Sequence, residues 1–524
     1  MTTPRHTSAY IKANLYKDSV ALMRVAQGLL AMPGVVNATL QMGNPANKEI
    51  LQEAGLLTDA VKDAGPSDVM VVLQALTAAD CAAAVAACQA QLEGREKPAA
   101  GAPQAGGAAV LPTSLAMGQA GLDGANLAQI SVPGAYAAAE ALKAVKLGLN
   151  VFLFSDNVPL AQEVTLKREA ARRGVLVMGP DCGTAIIGGV PLGFANALRR
   201  GSIGLVAASG TGLQEVSSQI HRMGGGISHA IGTGGRDVSE AVGGTTMLQG
   251  IALLARDPGT ALIAVISKPP AAKVAKQVLA ALRASGKPAV VLFLGSRQLQ
   301  TKSPKSSPLQ LAHTLVDCAA MAVNMTGVSS ASATGRRTRP YPRPSKPVFA
   351  SSQQYLRALY AGGTFTAEAQ MIWAQAGLKV WSNVALHKAL NLPNPRQASR
   401  EHTALDLGDD AFTVGRPHPM IDQAARIERL LLEAADPTVR VVVLDVVIGW
   451  GAHSNPAGEL AAAIRRAKTI ARQGGRHLAV VGFVCGTESD PQVLSRQEAL
   501  LRTAGMVLAG NSANAAWLAG QWVR

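Results

Sequence analysis

Short aliphatic, β-branched runs recur along this chain, each followed by a stretch with helical periodicity, and that alternation constrains the fold most strongly. Between residues 150 and 295 the runs are "NVFLFS", "VLVMG", "SIGLVAA", "GISHAIG", "ALIAVIS" and "AVVLFLG"; helical patterns fall at 135–147, 158–173, 213–223, 246–256 and 270–285. Beyond residue 350 the pattern resumes with "LRALYA", "KVWSN", "VRVVVLDVV", "HLAVVGFV" and "MVLAG". A strand apolar on both faces must be covered on both sides, so the alternation predicts parallel sheets sandwiched between helices. In such sheets ligands bind beyond the carboxyl ends of the strands, so the strand-to-helix loops are where chemistry is expected.

Two low-complexity stretches divide the chain: "KPAAGAPQAGGAA" at 97–109, and "SSASATGRRTRPYPRPSKP" at 329–347, Ser-, Arg- and Pro-rich. Both read as linkers. The expected organisation is α/β throughout: a small N-terminal α/β module (1–96) followed by three doubly wound parallel-sheet domains of Rossmann or flavodoxin type (110–199, 200–328, 348–524).

Aromatic residues are 4% of the chain, too few for a base-stacking nucleic-acid platform. The net charge of +15 is scattered rather than blocked, which favours small anionic metabolites over specific nucleic acid. Five cysteines (Cys81, Cys88, Cys182, Cys318, Cys485) form no CxxC pair, which suits a reducing cytoplasm. No apolar stretch reaches the length of a membrane span, and the N-terminus lacks a signal-like core, so a cytoplasmic protein without a membrane role is expected.

Several loops have the composition of an anion seat. In "VAASGTGLQE" a strand empties into Ser209, Gly210, Thr211 and Gly212, with Thr211 read as helix N-cap and Gln214 closing a capping box. Free backbone N–H groups, hydroxyls and missing side chains together suit a phosphate, although a tight turn without ligand has the same sequence. "VVVLDVVIGWGAHSNPAGEL" repeats the pattern with Gly449, Gly451, His453 and Asn455 as N-cap before Pro456. "YAGGTFTAEAQ" is a third such seat, built on Gly362 and Gly363. "MGPDCGTAIIGG" ends a strand with Asp181, Cys182 and Gly183; Cys182 would be a nucleophile only with a lowered pKa. "GDDAFTVGRPHPMID" gathers Asp409, Asp410, Arg416, His418 and Asp422, where the carboxylates are candidates for Mg²⁺ and Arg416 for clamping an anion, against a plain solvated loop.

These motifs resemble the succinyl-CoA synthetases. "GPDCG", "SIGLVAASGTGLQE", "AIGTGGRD" and "ALIAVISKPPAA" are similar to the α subunit, while "ALDLGDD" and "DVVIGWGAHSNP" are similar to the C-terminal domain of the β subunit. With no ATP-grasp domain between them, the arrangement resembles the FdrA family, as do "SKPP" and "GRPHPMID". The resemblance implies that Ser209–Thr211 and the Gly449–Asn455 loop are two halves of one phosphate site. It also implies other subunits, an oligomer, and a role in purine or allantoin catabolism, where oxalurate is cleaved by phosphate to oxamate and carbamoyl phosphate.

The chain departs from the synthetases at three points. No histidine follows "AVVLFLGSRQLQ" before His313; Lys268 stands where the synthetases carry a supporting Glu; and "LAMGQAGLDGANLAQISVPG" lacks their Gly-rich CoA turn. A phosphohistidine cycle is therefore not expected. The expected activity is a carbamoyl or acyl transfer using phosphate or an acyl phosphate, with Lys268, His453, Arg416 and His418 as the catalytic candidates. Two alternatives stand beside it: an acyl-CoA ligase subunit that binds CoA and borrows a nucleotide-binding partner, and a non-catalytic metabolite-binding scaffold.

Overall fold

The computed structural model describes residues 6–15, 17, 19–93, 112–295, 307–327, 347–413 and 416–524. Both predicted linkers lie outside the described residues, save Pro347. The chain is mixed α/β and forms two compact units, residues 1–113 with 413–417, and residues 114–412 with 418–524.

The first unit runs β1 (His6–Lys12), α1 (Ser19–Leu30), β2 (Val35–Met42), α2 (Pro45–Glu53), β3 (Val69–Ala75) and α3 (Ala78–Glu93). Its antiparallel sheet has the order β1-β3-β2. β1 has no counterpart among the predicted elements. The apolar run of β3 forms the centre, with Val69 to Val72 fully buried.

The second unit opens with α4 (Leu115–Gly121), β4 (Leu127–Ile130), α5 (Gly134–Lys146), β5 (Asn150–Leu153), α6 (Leu160–Arg173) and β6 (Val177–Met178). The three strands make a small parallel sheet. A hairpin, β7 (Thr184–Ile187) and β8 (Val190–Gly193), comes next, then β9 (Arg200–Ala207), α7 (Gly210–Arg222), β10 (Ile227–Gly232) and α8 (Thr245–Arg256). β11 (Leu262–Ser267), α9 (Ala272–Ala284), β12 (Ala289–Phe293), β13 (Leu309–Leu311) and α10 (Leu315–Met325) complete this sheet, ordered β13-β12-β11-β9-β10-β7-β8. The boundary expected near Arg200 is therefore crossed. β7 pairs antiparallel with β10 at Ile186↔Ala230, which joins the hairpin to the sheet of residues 200–328. Nothing local in sequence encodes that pairing.

The C-terminal part contains β14 (Tyr355–Tyr360), α11 (Gly363–Gln375), β15 (Val380–Ser382), β16 (His402–Asp406), α12 (Asp410–Thr413), α13 (Ala424–Ala435) and β17 (Val439–Val447). α14 (Pro456–Gln473), β18 (Ala479–Cys485), α15 (Leu494–Thr503), β19 (Met506–Leu508) and α16 (Ser512–Val523) follow. All six strands are parallel, in the order β15-β16-β14-β17-β18-β19.

In the seven-stranded sheet the strand order reverses between β9 and β11; in the six-stranded sheet it reverses between β14 and β17. These reversals leave crevices at the carboxyl ends of the strands, where parallel sheets bind ligands. One apolar cluster runs from Leu213, Val216 and Ile220 of α7 to Phe365, Ala369 and Trp373 of α11 and Ala515, Ala516 and Ala519 of α16. The two sheets thus share a core, and α7 is buried on every side from Thr211 to Ile220.

Candidate functional site

The first turns of α7 and α11 meet. Ser209 is the N-cap of α7, two residues before the expected Thr211, because its own hydroxyl accepts the Gly212 N–H at 2.9 Å. The same hydroxyl hydrogen-bonds the Thr364 hydroxyl on the first turn of α11. The partner of the Ser209 loop is therefore the Gly362–Thr364 loop. Glycine is required for this approach: a Cβ on Gly362 would stand 2.5 Å from Thr211 Cγ2 and 2.7 Å from its Oγ1. Two helix N-termini, each carrying about half a positive charge, converge on one place. Ser209, Gly210, Gly362 and Gly363 are partly open to solvent there.

Lys268 follows β11 and is exposed. A Cβ on Gly363 would lie 2.5 Å from Lys268 Nζ and 2.6 Å from Asp406 Oδ2, so the ammonium and the carboxyl flank that glycine. Asp406 ends β16 and is only 7% exposed. Its Oδ1 accepts the Gly408 N–H at 3.0 Å. Burial pushes its carboxyl up to about 7, against the pull of Lys268, and the charges of Asp409 and Asp445 push the same way as burial. Asp445, fully buried, accepts the Ala361 N–H at 2.9 Å and lies 3.4 Å from Arg426 Nη2, which holds the strand end beneath the seat.

His418 closes one side. Its Nε2 stands 2.5 Å from where a Gly408 Cβ would be, and Asp406 Oδ1 is 3.3 Å from that same point. Its Nδ1 accepts the Met420 N–H at 3.2 Å, which puts the proton of the neutral ring on Nε2. Burial, helped by Arg426, lowers its pKa to about 4, so the ring is neutral at pH 7. It is a hydrogen-bond donor at Nε2, and lacks the Nε2 lone pair a nucleophile needs.

Asp181 is crowded by protein atoms while keeping an exposed edge. That crowding, with Asp156 and Asp410, raises it to about 6 against the pull of Arg236 and Lys268. Asp410 is likewise raised by burial and by Asp156. Among the described residues no group of three or more His, Cys, Asp or Glu is placed to hold a metal ion.

Other candidates fall elsewhere. Cys182 is a core residue: burial pushes its thiol up to about 12, and its Sγ faces the Thr184 carbonyl at 3.5 Å. Gly183 accepts the Phe194 N–H at 2.7 Å and shapes the hairpin. The Gly449–Asn455 loop packs on that hairpin, and its His453 N–H donates to the Met420 carbonyl at 2.8 Å, two residues from His418. A Cβ on Gly449 would meet the Ala195 carbonyl at 2.6 Å, and one on Gly451 the Gly193 carbonyl at 3.0 Å. Glutamine side chains fill the loop. Gln492 accepts from Gly449 N and donates to its carbonyl, while Gln497 Oε1 takes the Ala457 N–H at the start of α14. Asn455 is the N-cap residue, as expected, but its side chain caps nothing. His453 accepts the Asn455 N–H at Nδ1, and its Nε2 lies 3.4 Å from Glu459, so it serves this loop. Arg416 is exposed, its N–H on the Thr413 carbonyl.

A separate cleft of about 470 Å³ opens beside Arg199, Arg200, His221 and Trp450. Arg199 there binds the carbonyls of His221 and Gly225, at the negative end of α7, which makes it a poor anion seat.

The domain families that match are those of CoA ligases. The family described as CoA-ligase covers residues 359–522 and the CoA binding domain covers 199–295, the latter lying on the second of the three expected sheet domains. A third, the AllF heavy metal-associated domain, covers 5–108. The chain therefore combines CoA-ligase-class domains with an AllF-type N-terminal module. It belongs to the family of the uncharacterized protein YahF of Escherichia coli, to which it is 40% identical over 98% of both chains; the arrangement is that of FdrA proteins. The ADP-forming sulfoacetate-CoA ligase subunit SauD of Bilophila wadsworthia is 26% identical over 28% of this chain and 50% of its own length. The succinate–CoA ligase α subunit of Aquifex aeolicus is 30% identical over 28% of this chain and 48% of its own. The chain thus spans about half the length of these ligase subunits. Among solved structures, the dinucleotide-forming acetyl-coenzyme A synthetase 1 of Ca. Korarchaeum cryptofilum covers 76% of this chain and 82% of its own at 14% identity and TM-score 0.31.

A heavy-metal site, which the description of the first module implies, fits poorly. In the first module Cys81 and Cys88 are buried on α3, and burial raises the Cys88 thiol; no third soft ligand joins them among the described residues. The turn from β4 into α5 packs closely on the next loop: a Cβ on Gly134 would meet the Asp156 carbonyl at 2.2 Å. No helix of the described residues is long and apolar enough to cross a membrane.

Proposed function

We propose that this chain is the phosphate-handling subunit of a carbamoyl or acyl transferase of the oxamate carbamoyltransferase type. The meeting of the α7 and α11 N-termini at Ser209 and Thr364, with Lys268 beside them, carries the reading. Such a seat neutralises a dianion without itself becoming phosphorylated. Phosphoryl and acyl-phosphate chemistry needs little more from a protein than positioning and charge. His418, with its proton on Nε2, is set to donate to a carbonyl or phosphate oxygen. Co-expression with neighbouring gene products, followed by assay of phosphate-dependent carbamoyl phosphate release from oxalurate, tests the activity. Turnover that fails when Lys268 is replaced by Ala supports it; no turnover with any combination of partner proteins overturns it.

The match of residues 359–522 to the CoA-ligase family favours a second reading, an acyl-CoA ligase subunit that a nucleotide-binding partner completes. That reading requires CoA binding. Calorimetry with CoA separates the two, because the transferase reading needs phosphate alone.

A further inference from the structure

We propose that Asp406 is the proton-bearing group of this seat: a carboxylic acid that admits a dianion beside Lys268 and protonates the nitrogen that leaves when phosphate cleaves a ureide. This rests on the transferase reading above.

The geometry comes first. Asp406 is the last residue of β16, next to β14, whose following loop supplies Gly362 and Gly363. Oδ2 is on the Lys268 side of Gly363 and Oδ1 on the His418 side of Gly408. One buried carboxyl thus spans the cation and the imidazole, and two glycines leave the space between them open. The groups facing it are Lys268 from the loop after β11, His418 after α12, Asp409 from its own loop, Asp445 from β17, and the N-terminus of α11. Its raised pKa, about 7, fits a group that exchanges a proton near neutrality.

In the step, a phosphate oxygen attacks the ureide carbonyl carbon and a tetrahedral centre forms. The C–N bond breaks, its electron pair goes to nitrogen, and nitrogen takes the Asp406 proton. Carbamoyl phosphate and a neutral amide result, and the proton that the attacking hydrogen phosphate sheds returns through water to the carboxylate, so none is gained or lost. In the reverse direction the carboxylate accepts the proton of the attacking amide nitrogen. An ionised Asp406 would also place a negative charge against the incoming anion, so its proton governs binding as well.

The test uses sulfate, which keeps its charge through the neutral range, titrated by calorimetry into the full chain. Affinity is expected to fall about tenfold from pH 6 to pH 8.5, the scale of one pKa unit of coupling. At pH 8 the wild-type chain is expected to take up a proton as sulfate binds, read from buffers of different ionisation enthalpy. Asp406→Asn should bind sulfate with a flat pH profile and no uptake. Equal pH dependence in Asp406→Asn, or no uptake by the wild type, overturns the role of Asp406 alone, provided Lys268→Ala still abolishes binding. Sulfate binding indifferent to Lys268→Ala, or none at all, overturns the seat and this inference with it.

Discussion

The hydroxyls of Ser209 and Thr364, 155 positions apart, hydrogen-bond to each other across the first turns of two buried helices. Each serine or threonine lies where its own sheet reverses strand order, or one turn beyond it, so the two crevices open into one another.

Gly363→Ala should impair the seat without unfolding the chain. The added methyl falls 2.5 Å from Lys268 Nζ and 2.6 Å from Asp406 Oδ2; the lysine can swing away while the buried carboxyl cannot. Displacing one charge-assisted hydrogen bond, worth ~1.5–3 kcal/mol, predicts phosphate affinity weaker by about ten- to a hundredfold by calorimetry. The strain of overpacking should cost ~1–3 kcal/mol in urea unfolding.

Stability should fall as pH rises through the range set by Glu368. This residue of α11 is 1% exposed, accepts the Leu315 N–H at 2.7 Å and the Ser512 hydroxyl, and burial raises it from 4.5 to about 7. The folded state therefore binds the proton more tightly than the unfolded state. Its contribution is complete below pH 4.5 and is lost as pH climbs to about 7, a drop of about 3 kcal/mol. Glu368→Gln should be more stable than wild type at pH 8 and should lose that part of the slope. Chemical denaturation at pH 5 and pH 8 decides it; identical slopes would contradict it.

Gln497→Leu should weaken α14 and leave the seat alone. Gln497 takes the Ala457 N–H at 3.0 Å and donates to Asn455 Oδ1 at 3.3 Å, replacing the missing cap. Loss of about 1–2 kcal/mol is expected, with phosphate affinity unchanged. Reduced phosphate binding would instead restore the Gly449–Asn455 loop to the site.

Thiol reagents should react with none of the five cysteines in the native chain. All five are buried and unpaired, and Cys182 and Cys318 are pushed up to about 12 by burial. Colorimetric thiol titration before and after adding denaturant should show the five appear together. Fast labelling of Cys182 in native protein would show a reactive thiol.

Much of this fold is legible in the alternation itself. Strands such as Leu262–Ser267 and Val439–Val447 are buried almost throughout, so their apolar runs have no competing explanation. The Ser209 loop is equally plain, because strand, small residues and helix are contiguous. Its partner is not, since Gly362–Thr364 and Gly449–Asn455 share one local grammar. The choice between them is made by the packing of α7 on α11, and by Gln492 and Gln497, which fill the second loop from about 40 positions away. The hairpin at 184–193 is misplaced for the same reason, its pairing with β10 being non-local. Asp406 carries a faint local signal, a carboxylate ending an otherwise apolar strand in "TALDLG". Only its placement beside Lys268 and Gly363 gives it meaning.

The paired-helix seat is tested most directly by a crystal structure of the chain grown with inorganic phosphate. Phosphate is expected between Ser209 and Thr364, with Lys268 Nζ within hydrogen-bonding distance. Phosphate bound instead in the Gly449–Asn455 loop, or a saturated crystal with none at Ser209, would contradict it.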